Sequence, residues 1–118
     1  MTTYFVTGAT GFLGRRLMAR LLDRPACDTV YVLVRPGSHD KLTALVERWP
    51  NGRAVVGVSG DLTEPGMGID EGCLPATIDH VVHLGAVYDF TADADANRAA
   101  NVTGTRHVVE LAERLDAH

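Results

Sequence analysis

Lysine is almost missing from this chain. Lys41 is the sole lysine among eleven basic residues, and fifteen acids leave a formal net charge of −4. That balance argues against nucleic acid or an anionic membrane surface as the main partner. Cysteine is scarce too. Cys27 and Cys73 fit no metal or redox spacing and read as two buried or half-buried thiols of a cytosolic protein. No apolar run approaches the about 20 residues of a membrane span. No basic n-region or apolar h-region precedes the first strand, so no signal peptide is expected and the location reads as cytoplasmic. Disorder is not expected either, because 46% of the residues are apolar. The 118 residues suffice for one domain with a modest core, and no repeat or linker divides residues 1–118.

The opening stretch organises the rest. Tyr4-Phe5-Val6 is a short apolar strand. It runs into Gly8, Gly11 and Gly14, three apart, and then into a helical pattern at Leu13, Leu17, Leu21 and Leu22. Strand, glycine turn, helix is the context in which such glycines bind phosphate. Gly8 takes the tight turn without a Cβ penalty. Gly11 lets backbone approach a pyrophosphate, and Gly14 lets the helix pack closely on the strand. The helix N-terminus then offers unpaired N–H groups and a positive dipole end.

The remaining elements alternate. The first helix is expected over residues 11–22, ended by Asp23-Arg24-Pro25. Residues 29–34 form a continuous apolar strand, as in a parallel sheet covered on both faces. Helix spacing follows over residues 40–49, with Ser38 as an expected N-cap. Residues 54–58 read as the third strand. Residues 64–76 show no period, and helix in part of them is compatible with their composition. Residues 80–84 read as the fourth strand. An alanine-rich helix follows, with Gly104, Val108, Leu111 and Leu115 on one face. Strands alternating with helices give a parallel α/β sheet with helices on both faces. Right-handed crossovers order four strands as 3-2-1-4, a truncated doubly wound, Rossmann-type fold. The glycine turn, Arg35, Asp61 and Gly85 then all fall at carboxyl ends of strands, where such sheets bind ligands.

The end of the second strand reads the adenosine ribose, with an acid for NAD and cations for NADP. This chain offers Arg35 and no acid between Thr29 and Ser38. Arg35 can stack on adenine and fork onto a 2′-phosphate, with Arg15 and Lys41 adding charge nearby. The expected cofactor is NADP(H).

The run Thr7-Gly8-Ala9-Thr10-Gly11-Phe12-Leu13-Gly14 resembles the extended branch of the short-chain dehydrogenase/reductase superfamily. The resemblance implies a cofactor set that also includes Thr10, Phe12, Leu13 and Arg15. Gly60-Asp61-Leu62 resembles the superfamily's Asp-Leu pair, whose aspartate accepts from the adenine amino group while the next residue contacts the ring. His83-Leu84-Gly85-Ala86 resembles the segment beneath the cofactor, where Gly85 stands in place of the usual alanine. His83 itself reads as a packed strand histidine. Asn101-Val-Thr-Gly104-Thr105 is similar to the branch's Asn-x-x-Gly-Thr, in which the asparagine supports the active site. Gly11 to Arg16, Val32 to Arg35, Gly60 to Thr63, His83 to Asp89 and Ala99 to Thr105 together look most like the fatty acyl-CoA reductase and thioester reductase group. By that resemblance the whole enzyme reduces an acyl thioester to aldehyde or alcohol, and Tyr88, Asp89 and Phe90 lie beside the nicotinamide.

The superfamily's acid is a tyrosine tuned by a lysine four residues on. Tyr4, Tyr31 and Tyr88 have Gly8, Arg35 and Ala92 at that spacing, and Gly37 precedes Lys41 by four. The pair is absent, so no catalytic residue is expected here. The chain reads as the N-terminal cofactor-binding part of a longer reductase, inactive alone. The open edge of its fourth strand is expected to invite self-association. The competing readings are a nucleotide-sugar epimerase, a 3β-hydroxysteroid-type dehydrogenase, and a non-catalytic NADP-binding redox sensor. A tyrosine–lysine pair encoded past residue 118 would separate enzyme from sensor.

Overall fold

The structure is a computed structural model that describes residues 1–70, 72–86 and 93–118. Four strands, β1 (Thr2–Thr7), β2 (Cys27–Val34), β3 (Val55–Ser59) and β4 (His80–His83), form one sheet in the order β3-β2-β1-β4. All three pairings are parallel, as expected. Helix α1 (Phe12–Leu22) connects β1 to β2, α2 (His39–Val46) connects β2 to β3, and α3 (Ala94–Arg114) follows β4. Among the described residues no helix is long and apolar enough to cross a membrane.

Alternation along the strands divides the core into two layers. Tyr4, Val6, Val30, Val32 and Val34 face one way and meet Met18, Leu21 and Leu22 of α1 and Leu42 of α2. Phe5, with Tyr31, Leu33 and Val81 beside it, faces the other way and meets Val108 and Leu111 of α3 and Leu115 just beyond it. Phe5, Val6, Met18, Val30 and Val32 keep no exposed surface. At about 1.5–3 kcal/mol for each buried side chain, these central positions outweigh any surface pairing. Helices therefore cover both faces.

Several local expectations need correction. The inward stripe of α1 is Gly14, Met18, Leu21 and Leu22, while Leu13 is 64% exposed and Leu17 half-buried. Gly14 must face the turn at the end of β1, and that rotates Leu13 outward. Ser38 occupies the N-cap position of α2 but makes no side-chain cap bond. Its N–H closes a 3-10 turn onto Arg35 O, and its ψ of 7° is not the extended conformation a capping side chain uses. Helix α2 stops at Val46, and Glu47 to Trp49 follow as turns. Among the described residues of the aperiodic loop the helical element is a short 3-10 turn, Pro65–Gly68. It drives Met67 fully into the core at φ 58°. Cys27 is buried, and burial raises its thiol pKa; Cys73 is exposed. The outer edge of β4 is engaged at its start. His118 N donates to Asp79 O at 3.0 Å, and Val81 N donates to His118 O at 2.7 Å.

Candidate functional site

The site forms where the carboxyl ends of β1, β2, β3 and β4 meet the first turn of α1. Gly8 has φ 78°, and a Cβ on it would sit 2.6 Å from both Gly85 N and Leu84 C. The turn is thus pressed against the segment after β4. A Cβ on Gly14 would lie 1.8 Å from Gly8 O, so α1 starts directly on the turn. Gly11, by contrast, is exposed, and a Cβ there meets only Gly8 O at 3.4 Å. The backbone is therefore open to close approach at Gly11 and shut at Gly8 and Gly14. Gly11 is the N-cap of α1 with no side-chain cap, and the first turn carries no acid. Its leading amides have no intrahelical acceptor, and the dipole's positive end is uncompensated. Such a turn could hold an anion, and the pyrophosphate of a dinucleotide is one that would fit it. Thr10 is half-buried within the turn. Phe12 and Leu13 are exposed, and the Arg16 guanidinium lies 4.6 Å from the Phe12 ring centroid. Arg15 is exposed on the same turn.

Arg35 directly follows β2 and is exposed. Asp61 lies one strand over, tied to the β2 end by Gly60 N donating to Val34 O at 3.0 Å. Asp61 Oδ1 accepts from Thr63 N at 2.9 Å and from Thr63 Oγ1 at 2.8 Å. These bonds hold the Asp61 carboxyl below its ordinary range, and Arg35 adds a smaller pull in the same direction. Arg35 and Asp61 thus lie just past the carboxyl ends of the neighbouring strands β2 and β3. Lys41 is exposed on α2.

Leu62 is wedged under the site. A Cβ on Gly85 would approach its Cδ1 to 3.0 Å, a Cβ on Gly104 would approach its Cβ to 3.2 Å, and its carbonyl oxygen lies 2.6 Å from His107 Nδ1. Gly104 therefore lets α3 close on the loop after β3. Gly85 N donates to Thr7 Oγ1 at 3.0 Å, Thr7 Oγ1 lies 2.6 Å from His83 Nδ1, and His83 Nε2 lies 3.3 Å from Thr105 Oγ1. Burial pushes the His83 pKa below its usual range. Leu84 and Ala86 are exposed beside Gly85, and Asn101 is half-buried one helical turn before Thr105. Thr7, Thr105 and His107 were missed as site residues by the sequence reading. Tyr88, Asp89 and Phe90 lie outside the described residues.

Known proteins share this fold and sequence pattern. The family model described as "Male sterility protein", an NAD-binding family, matches residues 6–118. The chain is 37% identical over 119 residues to a linear gramicidin synthase of Brevibacillus parabrevis, covering 91% of this chain and 2% of that protein. It is 35% identical over 126 residues to a Drosophila melanogaster protein named as a fatty acyl-CoA reductase, covering 94% of this chain and 23% of that one. The crystal structure of the terminal R domain from the myxalamid PKS-NRPS biosynthetic pathway superposes with a TM-score of 0.77 at 32% identity, over 98% of this chain and 32% of that one. The chain therefore spans less than a third of each of these relatives. An open glycine cradle on a 3-2-1-4 parallel sheet, together with a family match over residues 6–118, places the chain in the NAD-binding male sterility protein family, among the extended short-chain dehydrogenases/reductases that bind NAD(P)(H).

Proposed function

We propose that this chain is the NADP(H)-binding part of a longer reductase that converts an acyl thioester to an aldehyde, or in a second round to an alcohol. The observation that carries the choice of NADP(H) is Arg35, exposed at the carboxyl end of β2, with no acid from Thr29 to Ser38 to claim the ribose 2′-hydroxyl. The thioester class draws support from the synthetase reductase domain and the fatty acyl-CoA reductase to which the chain is similar.

In this reading the first turn of α1, from Gly11 to Arg15, takes the pyrophosphate. Arg35 takes the 2′-phosphate as a planar fork of donors. Asp61 accepts from the adenine amino group, with its carboxylate already ionised by Thr63. Leu62, held by Gly104 and His107, lines the adenine side. Leu84, Gly85 and Ala86 pass beneath the ribose and nicotinamide, and Asn101 supports them from α3. Held there, NADPH would be the hydride source for the thioester carbonyl carbon, and with one proton the products would be aldehyde, free thiol and NADP⁺. The residues that donate the proton and hold the acyl chain lie outside these 118, so the chain alone is expected to bind cofactor without turnover.

The test is a titration of the purified chain with NADP(H) and with NAD(H). Tighter binding of NADP(H) is expected. Tighter binding of NAD(H) would contradict the cofactor choice.

A further inference from the structure

Thr7 and His83 are register partners at the carboxyl ends of β1 and β4. Thr7 is the one buried polar residue among the described residues and keeps no exposed surface. Three hydrogen bonds run through this pair, from the Gly85 amide to Thr7 Oγ1, on to His83 Nδ1, and from His83 Nε2 to Thr105 Oγ1 on α3.

Where the buried Thr7 hydroxyl places its proton assigns the ring. The Gly85 N–H can only donate, so Thr7 Oγ1 accepts it. Thr7 has one proton of its own to place, and His83 Nδ1 is the acceptor 2.6 Å away. Nδ1 is then bare, and the proton of the neutral ring sits on Nε2, where it donates to Thr105 Oγ1. We infer that His83 is a positioning residue: its bare Nδ1 fixes the Thr7 hydroxyl, Thr7 fixes the Gly85 amide, and the relay sets the backbone that closes on the glycine turn beneath the cofactor. The contact is tight enough for this to matter, since Gly85 N is within 2.6 Å of where a Gly8 Cβ would stand. The consequence for cofactor binding rests on the function proposed above.

The surroundings favour the neutral ring. β1 presents the uncharged Thr7, and α3 presents Thr105 with Arg106 and His107 next to it. His107 Nδ1 is engaged by Leu62 O. Asp61 on the loop after β3 is satisfied by Thr63. His80 lies three residues back on β4 and stacks on Tyr4. Burial is the cause that lowers the His83 pKa. A proton added at Nδ1 could still donate to the second lone pair of Thr7 Oγ1, but the buried Thr7 proton would lose Nδ1 and have to find another acceptor.

Two measurements test the relay. In the cofactor-free chain, ring ¹⁵N shifts should report the Nε2–H tautomer. The Gly85 amide should titrate with the His83 midpoint, below the ordinary value of 6.5. With NADP(H), His83→Phe should weaken binding roughly tenfold, the loss of one buried acceptor, whereas His83→Asn, whose Oδ1 replaces Nδ1, should stay within about threefold. An Nδ1–H ring, or a Gly85 amide indifferent to the titration of His83, overturns the assignment. A folded His83→Phe chain with unchanged affinity, or His83→Asn as weak as His83→Phe, overturns the positioning role. If the wild-type chain binds neither nucleotide, the proposed function falls, and the cofactor-free spectra still decide the relay.

Discussion

Replacing Gly14 by alanine puts a methyl 1.8 Å from Gly8 O and 2.7 Å from Gly8 C. Ordinary contact begins near 3.4 Å, so α1 must retreat from the turn by roughly 1.5 Å. Overpacking of this kind costs about 1–3 kcal/mol. The better helix propensity of alanine offsets about 1 kcal/mol of it. The obstacle is backbone, which has no rotamer to yield, so the upper end of the cost applies and the net loss is about 2 kcal/mol. In a domain of this size that lowers the melting temperature by roughly 8 °C. Gly11→Ala is the matched control. Gly11 has φ −78° and ψ 178°, which any residue adopts, and its added methyl meets only Gly8 O at 3.4 Å. Its stability cost should stay under about 1 kcal/mol, yet the methyl stands on the open face where a phosphate would approach. Thermal unfolding and NADP(H) titration of both variants should therefore separate, with Gly14→Ala losing stability and Gly11→Ala losing affinity at nearly unchanged stability. A Gly14→Ala chain that melts at or above the wild-type temperature would refute the packing argument.

Three further outcomes follow from the same geometry. Arg35→Ala should cost NADP(H) roughly 10–100-fold in affinity, the range for losing charge-assisted hydrogen bonds, and change NAD(H) binding little; equal losses for both nucleotides in a calorimetric titration would move Arg35 off the 2′-phosphate. Thr63 holds the Asp61 carboxyl below its ordinary value of 3.8. The folded value is the lower one, so the stabilisation is present above 3.8 and is lost as the pH falls through the folded value. Thr63→Val deletes the hydroxyl bond but keeps the larger backbone N–H bond, so it should make the acid arm of stability against pH shallower without removing it, and urea midpoints whose acid slope is unchanged would count against it. Phe5→Ala, in a site with no exposed surface between Tyr31 and Val81, should cost about 3–5 kcal/mol and bring the domain close to unfolding at room temperature; a loss below 1.5 kcal/mol by denaturant unfolding would mean that the layer repacks, since that is about the size of an isosteric swap.

The parallel order was legible because apolar strands and helix spacings alternate in sequence, and because handed crossovers leave few topologies. The glycine cradle was legible because its requirement is local: a strand end, a positive φ and a helix start within a few residues. The facing of α1 was not. Counting leucines favoured Leu13, while the deciding contact was between Gly14 and the Gly8 carbonyl, and a glycine adds nothing to an apolar stripe. Met67 was hidden for a related reason, since a single 3-10 turn has no period to read. Thr7 and His83 were hidden by distance, lying 76 residues apart and meeting only through sheet register. One signal was available: each is a polar residue that follows two apolar ones, Phe5-Val6 and Val81-Val82, at the carboxyl end of its strand, and two such positions in neighbouring parallel strands invite pairing. The wedge of Leu62 between Gly85 and Gly104 needed three segments folded together.

The central claim is that the carboxyl ends of these strands, with the first turn of α1, hold NADP(H). Amide chemical-shift mapping of the chain on addition of NADP(H) tests it most directly. The account predicts perturbations from Gly8 to Arg15, at Arg35, at Asp61 and Leu62, and at Gly85, with the outer face of α3 around Val109 unmoved. Perturbations centred elsewhere, or none in a well-folded chain, would contradict it.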